Sequence, residues 1–153
     1  MRHERYRHEV AGHNFRLTNL QAAMGCAQIE CLDRILTERR RVHERYRERL
    51  FGAPGVKLQR FTDGVVPVLW ALAAVLDDGA YPQGRDAVVA RLHESGIETR
   101  PGFVAASMMP LYDAPSLPVS ERLARTVLSV PTFPSLRDDQ IDRVCTALLS
   151  QGR

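Results

Sequence analysis

Gly12-His13-Asn14-Phe15-Arg16-Leu17-Thr18-Asn19-Leu20-Gln21-Ala22-Ala23 decides how this 153-residue chain is read. Thr18 and Gln21 stand three residues apart. A hydroxyl at a helix cap and an amide three residues on can satisfy each other's backbone N–H groups, which is the pattern of a capping box. Leu17, just before the cap, can staple the first turn. The spacing predicts one long helix from Asn19 to Phe51, stopped by Gly52 and Pro54.

That helix changes character along its length. From Leu20 to Leu36 the apolar residues are too dense for one stripe, so this half is expected to be buried on two sides. From Thr37 to Leu50 only Val42, Tyr46 and Leu50 remain, spaced by four, which leaves one narrow apolar face. A helix of this length spans ~50 Å, more than a domain of this size needs. It is therefore expected to support a second domain or a partner subunit. Ala22, Ala23, Gly25 and Ala27 would let that partner approach closely.

Downstream, Gly55 to Gln59 reads as a short strand. The apolar run Val65 to Leu76, which contains Trp70, reads as a long buried strand. Arg85 to Glu94 reads as an amphipathic helix with Val88, Val89 and Leu92 inward, closed by Gly96. Ile97 to Arg100 reads as a strand halted by Pro101. Pro101, Pro110 and Pro115 break the stretch that follows into loop. Pro118 to Val127 reads as a helix with proline in its first turn, and Leu128 to Pro131 as a short buried segment. Ser135-Leu136-Arg137-Asp138 reads as a second capping box. It opens a last helix with Ile141, Val144, Cys145, Leu148 and Leu149 on one face. The order of elements is that of an α/β sandwich with a small antiparallel or mixed sheet.

Bulk composition sets limits on function. The chain is 44% hydrophobic and 25% charged, with a net charge of +3, as in an ordinary globular domain. No apolar run reaches membrane-spanning length. Met1 to His8 is charged and has no apolar core, so no secretory signal is read there and a cytoplasmic location is expected. Cys26, Cys31 and Cys145 lack CxxC spacing and are expected to be free, buried or half-buried thiols. The five histidines show no metal-binding spacing. Nearly all the positive charge is arginine, and Lys57 is the one lysine.

The quoted stretch resembles the segment of the DegT/DnrJ/StrS aminotransferases, enzymes of nucleotide-linked keto sugars, that runs into their interface helix. The resemblance continues through Gly25-Cys26-Ala27-Gln28-Ile29-Glu30. Gly96-Ile97-Glu98-Thr99-Arg100-Pro101 is similar to a motif of the perosamine-synthase branch. Leu117-Pro118-Val119-Ser120-Glu121-Arg122 and Leu128-Ser129-Val130-Pro131 follow in family order and spacing. The resemblance implies the small carboxy-terminal domain of the aspartate-aminotransferase-like fold of pyridoxal-phosphate (PLP) enzymes. Residues 1–52 would be the end of the large domain plus the long interface helix, and 53–153 the small α/β domain. The domain that carries the PLP lysine would be absent.

Transamination needs a lysine amine that forms an imine with PLP and a carboxylate against the pyridine nitrogen. In the family both precede this segment. Lys57 does not match the family's lysine motif and reads as a surface residue, so the chain alone is expected to be inactive and not to hold PLP stably. By resemblance, Asn14 would hydrogen-bond the PLP phosphate of a partner subunit, with an amide donating to a dianion. Arg16 would contact substrate phosphate or a site carboxylate, and Arg100 and Phe103 would face the sugar-nucleotide pocket. Ser107 stands where the family carries histidine, and Ala105 where it carries proline. The implied partners are a second copy or a complementing large-domain chain, a nucleotide sugar and an amino-acid donor.

Two other readings compete. The first is a non-catalytic subunit that keeps the interface helix and pairs with a full-length aminotransferase. The second is a nucleic-acid binder, since residues 34–49 contain seven arginines, as a phosphate-tracking helix would. Against the second, Glu38, Glu44 and Glu48 interleave with them, and Glu30/Arg34 and Arg40/Glu44 have ion-pair spacing on a solvated face.

Overall fold

The computed structural model describes residues 10–152. The charged start at residues 1–8 lies outside them. Residues 10–18 are irregular, and helix α1 (Asn19–Glu30) begins where the sequence places it. The Thr18 hydroxyl accepts the Gln21 N–H at 3.3 Å, and the Gln21 side chain accepts the Thr18 N–H at 2.8 Å.

The long helix is broken once. Cys31 leaves helical geometry at φ −103°, ψ 8°, and α2 (Leu32–Leu50) starts after it. The Cys31 carbonyl still accepts the Ile35 N–H at 3.0 Å, so the interruption is one turn residue.

The expected burial of the first half is not met within this chain. No residue of α1 is buried, and Leu20 and Ile29 are 74% and 69% exposed. Its apolar residues have no surface of this domain to pack on. Cys26 is exposed as well, whereas Cys31 is half-buried and Cys145 buried. In α2 the buried residues are Val42, Tyr46 and Leu50, the narrow face set by their spacing.

The sheet has four strands: β1 (Val56–Leu58), β2 (Leu72–Leu76), β3 (Arg100–Pro101) and β4 (Val127–Val130). Their order is β1-β2-β4-β3, and every pairing is antiparallel. β2 alternates strictly, with Leu72, Ala74 and Leu76 buried, as a strand with one covered face must. Leu128 and Val130 of β4 join them. α2, α3 (Gly84–Glu94) and α5 (Asp138–Leu149) complete one core with these residues, centred on Tyr46, Leu92, Leu128, Ile141 and Leu148. α4 (Pro118–Thr126) runs directly into β4.

Four sequence expectations need correcting. The strand expected over 65–76 is confined to Leu72–Leu76. Pro67 has no N–H for a ladder, and the ladder partners on both sides reach no further back than Leu72. Residues 66, 68 and 70 are exposed instead. The third strand is Arg100–Pro101 rather than Ile97–Arg100, and Pro101 sits within it; β3 is a sheet edge, where proline is tolerated. Leu128 to Pro131, read only as a buried segment, holds most of a central strand paired on both sides. The last helix is capped by Arg137, not Ser135: the Arg137 N–H donates to the Gln140 side chain at 3.0 Å.

Gly55 needs its missing side chain. It sits at φ +74°, and a Cβ there would lie 2.3 Å from the Ala80 Cβ.

Candidate functional site

One cleft of about 1060 Å³ opens on the domain. β3 and the loop after it supply Arg100 and Phe103, the segment just before β2 supplies Trp70 and Ala71, and the turn after β4 supplies Thr132 and Phe133. The cleft is therefore lined by side chains from the strand ends, where neighbouring elements diverge. The structure brings together two of the four sequence-predicted site residues, Arg100 and Phe103. Asn14 and Arg16 are exposed, lie on the segment leading into α1, and are not part of the cleft wall.

Arg39 of α2 fixes one rim of the cleft. Its Nη1 donates to the Trp70 carbonyl at 2.9 Å, the Leu69 carbonyl at 3.1 Å and the Thr132 carbonyl at 3.4 Å. The Thr132 hydroxyl donates to the same Trp70 carbonyl at 3.1 Å. A non-strand segment thus has its backbone oxygens satisfied by one guanidinium, as a chain leaving a ladder requires.

His43, one helical turn on from Arg39, is half-buried beside the same segment. Burial pushes its imidazole below the ordinary 6.5; a hydrogen bond to the Ala71 backbone opposes this, and the Arg39 charge adds to the lowering. Its Nε2 is buried without a hydrogen-bond partner among the described residues. A base with a depressed folded value favours the fold when neutral. That contribution is full above 6.5 and is lost as pH falls from there through the folded value. Lowering the pH from 7.5 to 5.5 is expected to reduce the urea midpoint of the chain, and His43→Leu to flatten that slope.

The other rim is held by Glu121 of α4. Its carboxylate accepts from the Ser107 hydroxyl at 2.8 Å, the Leu117 N–H at 2.9 Å and the Ser116 hydroxyl at 3.1 Å. The Leu117 amide, then the Ser107 hydroxyl, hold this carboxyl below its usual range. Ser107 therefore has a bonding role in the loop after β3, a role its small side chain alone did not suggest. The sequence signal for it was Glu121, three residues into a helix opened by Pro118 and placed to reach back over the preceding loop.

Part of the arginine-rich face of α2 pairs with α5 of its own domain. Arg45 bonds Asp142 at 2.7 Å, Arg49 approaches it at 3.4 Å, and Arg41 bonds Asp138. Arg45 also pairs with Glu48 at 3.1 Å and Arg41 with Glu38 at 2.9 Å, at a spacing of three rather than four. Three of the seven arginines are thereby committed to α5, and Arg39 to backbone carbonyls. These pairings take four of the seven arginines away from any phosphate-tracking role, which weakens the case for a nucleic-acid-binding helix.

The chain by itself does not fit the covalent attachment of PLP. Lys57 lies exposed on β1 and is not part of the cleft wall. An exposed amine opposite Val75 in the ladder lacks the desolvated pocket that prepares a lysine for imine chemistry. Among the described residues no three potential metal ligands cluster, and no helix is long and apolar enough to cross a membrane.

The model of the DegT/DnrJ/EryC1/StrS aminotransferase family matches residues 1–149. The chain belongs to this family. It is 32% identical over 149 residues to the GDP-perosamine synthase of Vibrio cholerae, covering 95% of this chain and 40% of that protein. It is 34% identical over 148 residues to a UDP-N-acetyl-3-dehydro-alpha-D-glucosamine 3-aminotransferase of Acidithiobacillus ferrooxidans, covering 94% of this chain and 38% of that one. Among solved structures it resembles DesI, determined with its TDP-sugar product, at TM-score 0.74 and 32% identity, over 85% of this chain and 34% of DesI. The fold is accordingly the carboxy-terminal part of the PLP-dependent sugar aminotransferase fold. The chain spans about 40% of the length of the curated relatives it matches.

Proposed function

We propose that this chain forms the carboxy-terminal portion of a PLP-dependent aminotransferase of nucleotide-linked keto sugars, and that it is inactive without a large domain. Residues 1–52 are the interface portion in this reading and 53–153 the small domain. The observation that carries it is α1. An apolar helix stands without a packing surface of its own, directly behind Asn14 and Arg16. Solvent-exposed leucine, methionine and isoleucine at this density mark a docking surface.

When bound, PLP supplies the carbonyl that takes up the amino group and the ring that receives electrons. This chain's residues act around it. Asn14 donates a neutral hydrogen bond to the phosphate, and Arg16 offers a charged donor to a substrate phosphate or carboxylate. Arg100 and Phe103 hold the sugar nucleotide in the cleft. The lysine amine and the ring carboxylate come from the large domain.

Mixing the chain with a separately expressed large domain of a family member tests this. Neither part should transaminate a nucleotide keto sugar alone, and the mixture should gain both imine absorbance and turnover. Turnover by the isolated chain, or no gain in either signal on mixing, overturns the reading. The non-catalytic-subunit reading rests on the same exposed helix and differs in one result: the chain would associate with a full-length aminotransferase and leave its turnover unchanged.

A further inference from the structure

We infer that Trp70 is the stacking platform for the base of the nucleotide, and so a substrate-positioning residue of the cleft. The inference rests on the proposed substrate class and adds to it a residue that neither the sequence motifs nor the family resemblance singles out. Trp70 belongs to an apolar run that leaves the sheet before β2 begins. The residue is 60% exposed although tryptophan is among the costliest side chains to leave in water. Its backbone, by contrast, is fixed: the Trp70 carbonyl takes two hydrogen bonds, from Arg39 and from Thr132. A large flat ring on a clamped backbone is a preorganised surface, which costs little ordering when a ligand arrives.

The same cleft wall carries two further exposed rings, Phe103 and Phe133, and the guanidinium of Arg100. Aromatic faces beside a cation suit a ligand with one planar apolar part and one anionic part. A nucleoside diphosphate has both. Stacking is tolerant of base identity, because every base has a π-face. That tolerance agrees with relatives named for GDP-, UDP- and TDP-linked sugars.

Trp70 is the chain's one tryptophan, so its emission reads the site directly. Titration of the full chain with GDP, UDP and dTDP is expected to change that emission saturably for all three, while inorganic pyrophosphate leaves it unchanged. By calorimetry, Trp70→Leu should weaken GDP binding roughly 10-fold and Trp70→Phe, which keeps a ring, by no more than about 3-fold. Far-UV circular dichroism should be unchanged in both. In the complemented assembly Trp70→Leu should raise KM for the nucleotide sugar and leave kcat alone.

An absence of any nucleotide binding overturns the inference. So does binding without an emission change, or equal losses in the Leu and Phe variants. Turnover on mixing together with an indifferent Trp70 sinks this inference and leaves the aminotransferase reading standing. An emission response without turnover does the reverse.

Discussion

Tyr46→Ala is expected to remove a large part of the chain's stability. Tyr46 is fully buried at the centre of the core, between the sheet and α5. Its ring is the largest fully buried side chain of the domain. Its hydroxyl donates to the Pro131 carbonyl at 2.9 Å, tying α2 to the turn after the central strand. Removing a buried aromatic ring costs about 3–5 kcal/mol, a large part of the 5–15 kcal/mol that typically separates folded from unfolded domains. Tyr46→Phe keeps the volume and loses one buried bond, a loss of about 1–2 kcal/mol. Urea denaturation followed by circular dichroism separates the two: the alanine variant should show the larger fall in midpoint, the phenylalanine variant a smaller one, with unchanged slope. Burial also holds the Tyr46 hydroxyl well above its ordinary ionisation range, so raising the pH to 10 should not release it.

The core was legible because it rests on local periodicity. Val42, Tyr46 and Leu50 at four-residue spacing, and Ile141, Val144, Cys145 and Leu148 in α5, announce buried faces without knowledge of what they pack on. Cys145 behaves as a small core hydrophobe, with burial pushing its thiol up to about 11. The misreadings came where ladder geometry, not composition, sets the outcome. Val65 to Leu76 is apolar throughout, yet a strand extends only as far as its neighbours offer hydrogen bonds. β1 and β4 run out of partners at Ala74 and Leu72. Periodicity cannot show where a neighbour ends. For the same reason the apolar run places Trp70 in the interior, whereas it stands on the cleft.

The candidate site was legible in a different way. Arg100 and Phe103 were picked out by resemblance, and the fold puts both on one cleft. Nothing in local sequence pointed to Arg39, whose partners lie 30, 31 and 93 residues away. A long-range side-chain-to-carbonyl bond leaves no periodic trace. The arginine-rich helix misleads for the same reason: its charges look solvated until α5 supplies Asp138 and Asp142. Asn14 and Arg16 remain apart from the cleft in a single chain. In the proposed assembly they act across a subunit boundary, on a pocket of the second chain.

Asn14→Asp in the complemented assembly is expected to abolish cofactor retention while leaving the fold of this chain intact. Asn14 is exposed, ahead of the first turn of α1. Its replacement by an isosteric carboxylate removes no packing. In the proposed role its amide donates to a phosphate dianion. The aspartate would instead place a negative charge against that dianion and offer no donor. Losing a hydrogen bond to a charged group costs about 1.5–3 kcal/mol. A charge at ~4 Å in a partly shielded site adds a repulsion of about 4 kcal/mol per unit charge. Together these exceed a 1,000-fold rise in the dissociation constant for PLP, since each 1.4 kcal/mol is tenfold. Asn14→Ala loses only the donor and should weaken PLP by about 10- to 100-fold, with kcat recovering at saturating cofactor. Urea midpoints of the isolated chain should be equal for both variants and the parent. Equal PLP affinity in all three assemblies would remove Asn14 from the pocket, and with it the reason for placing this helix at a subunit boundary.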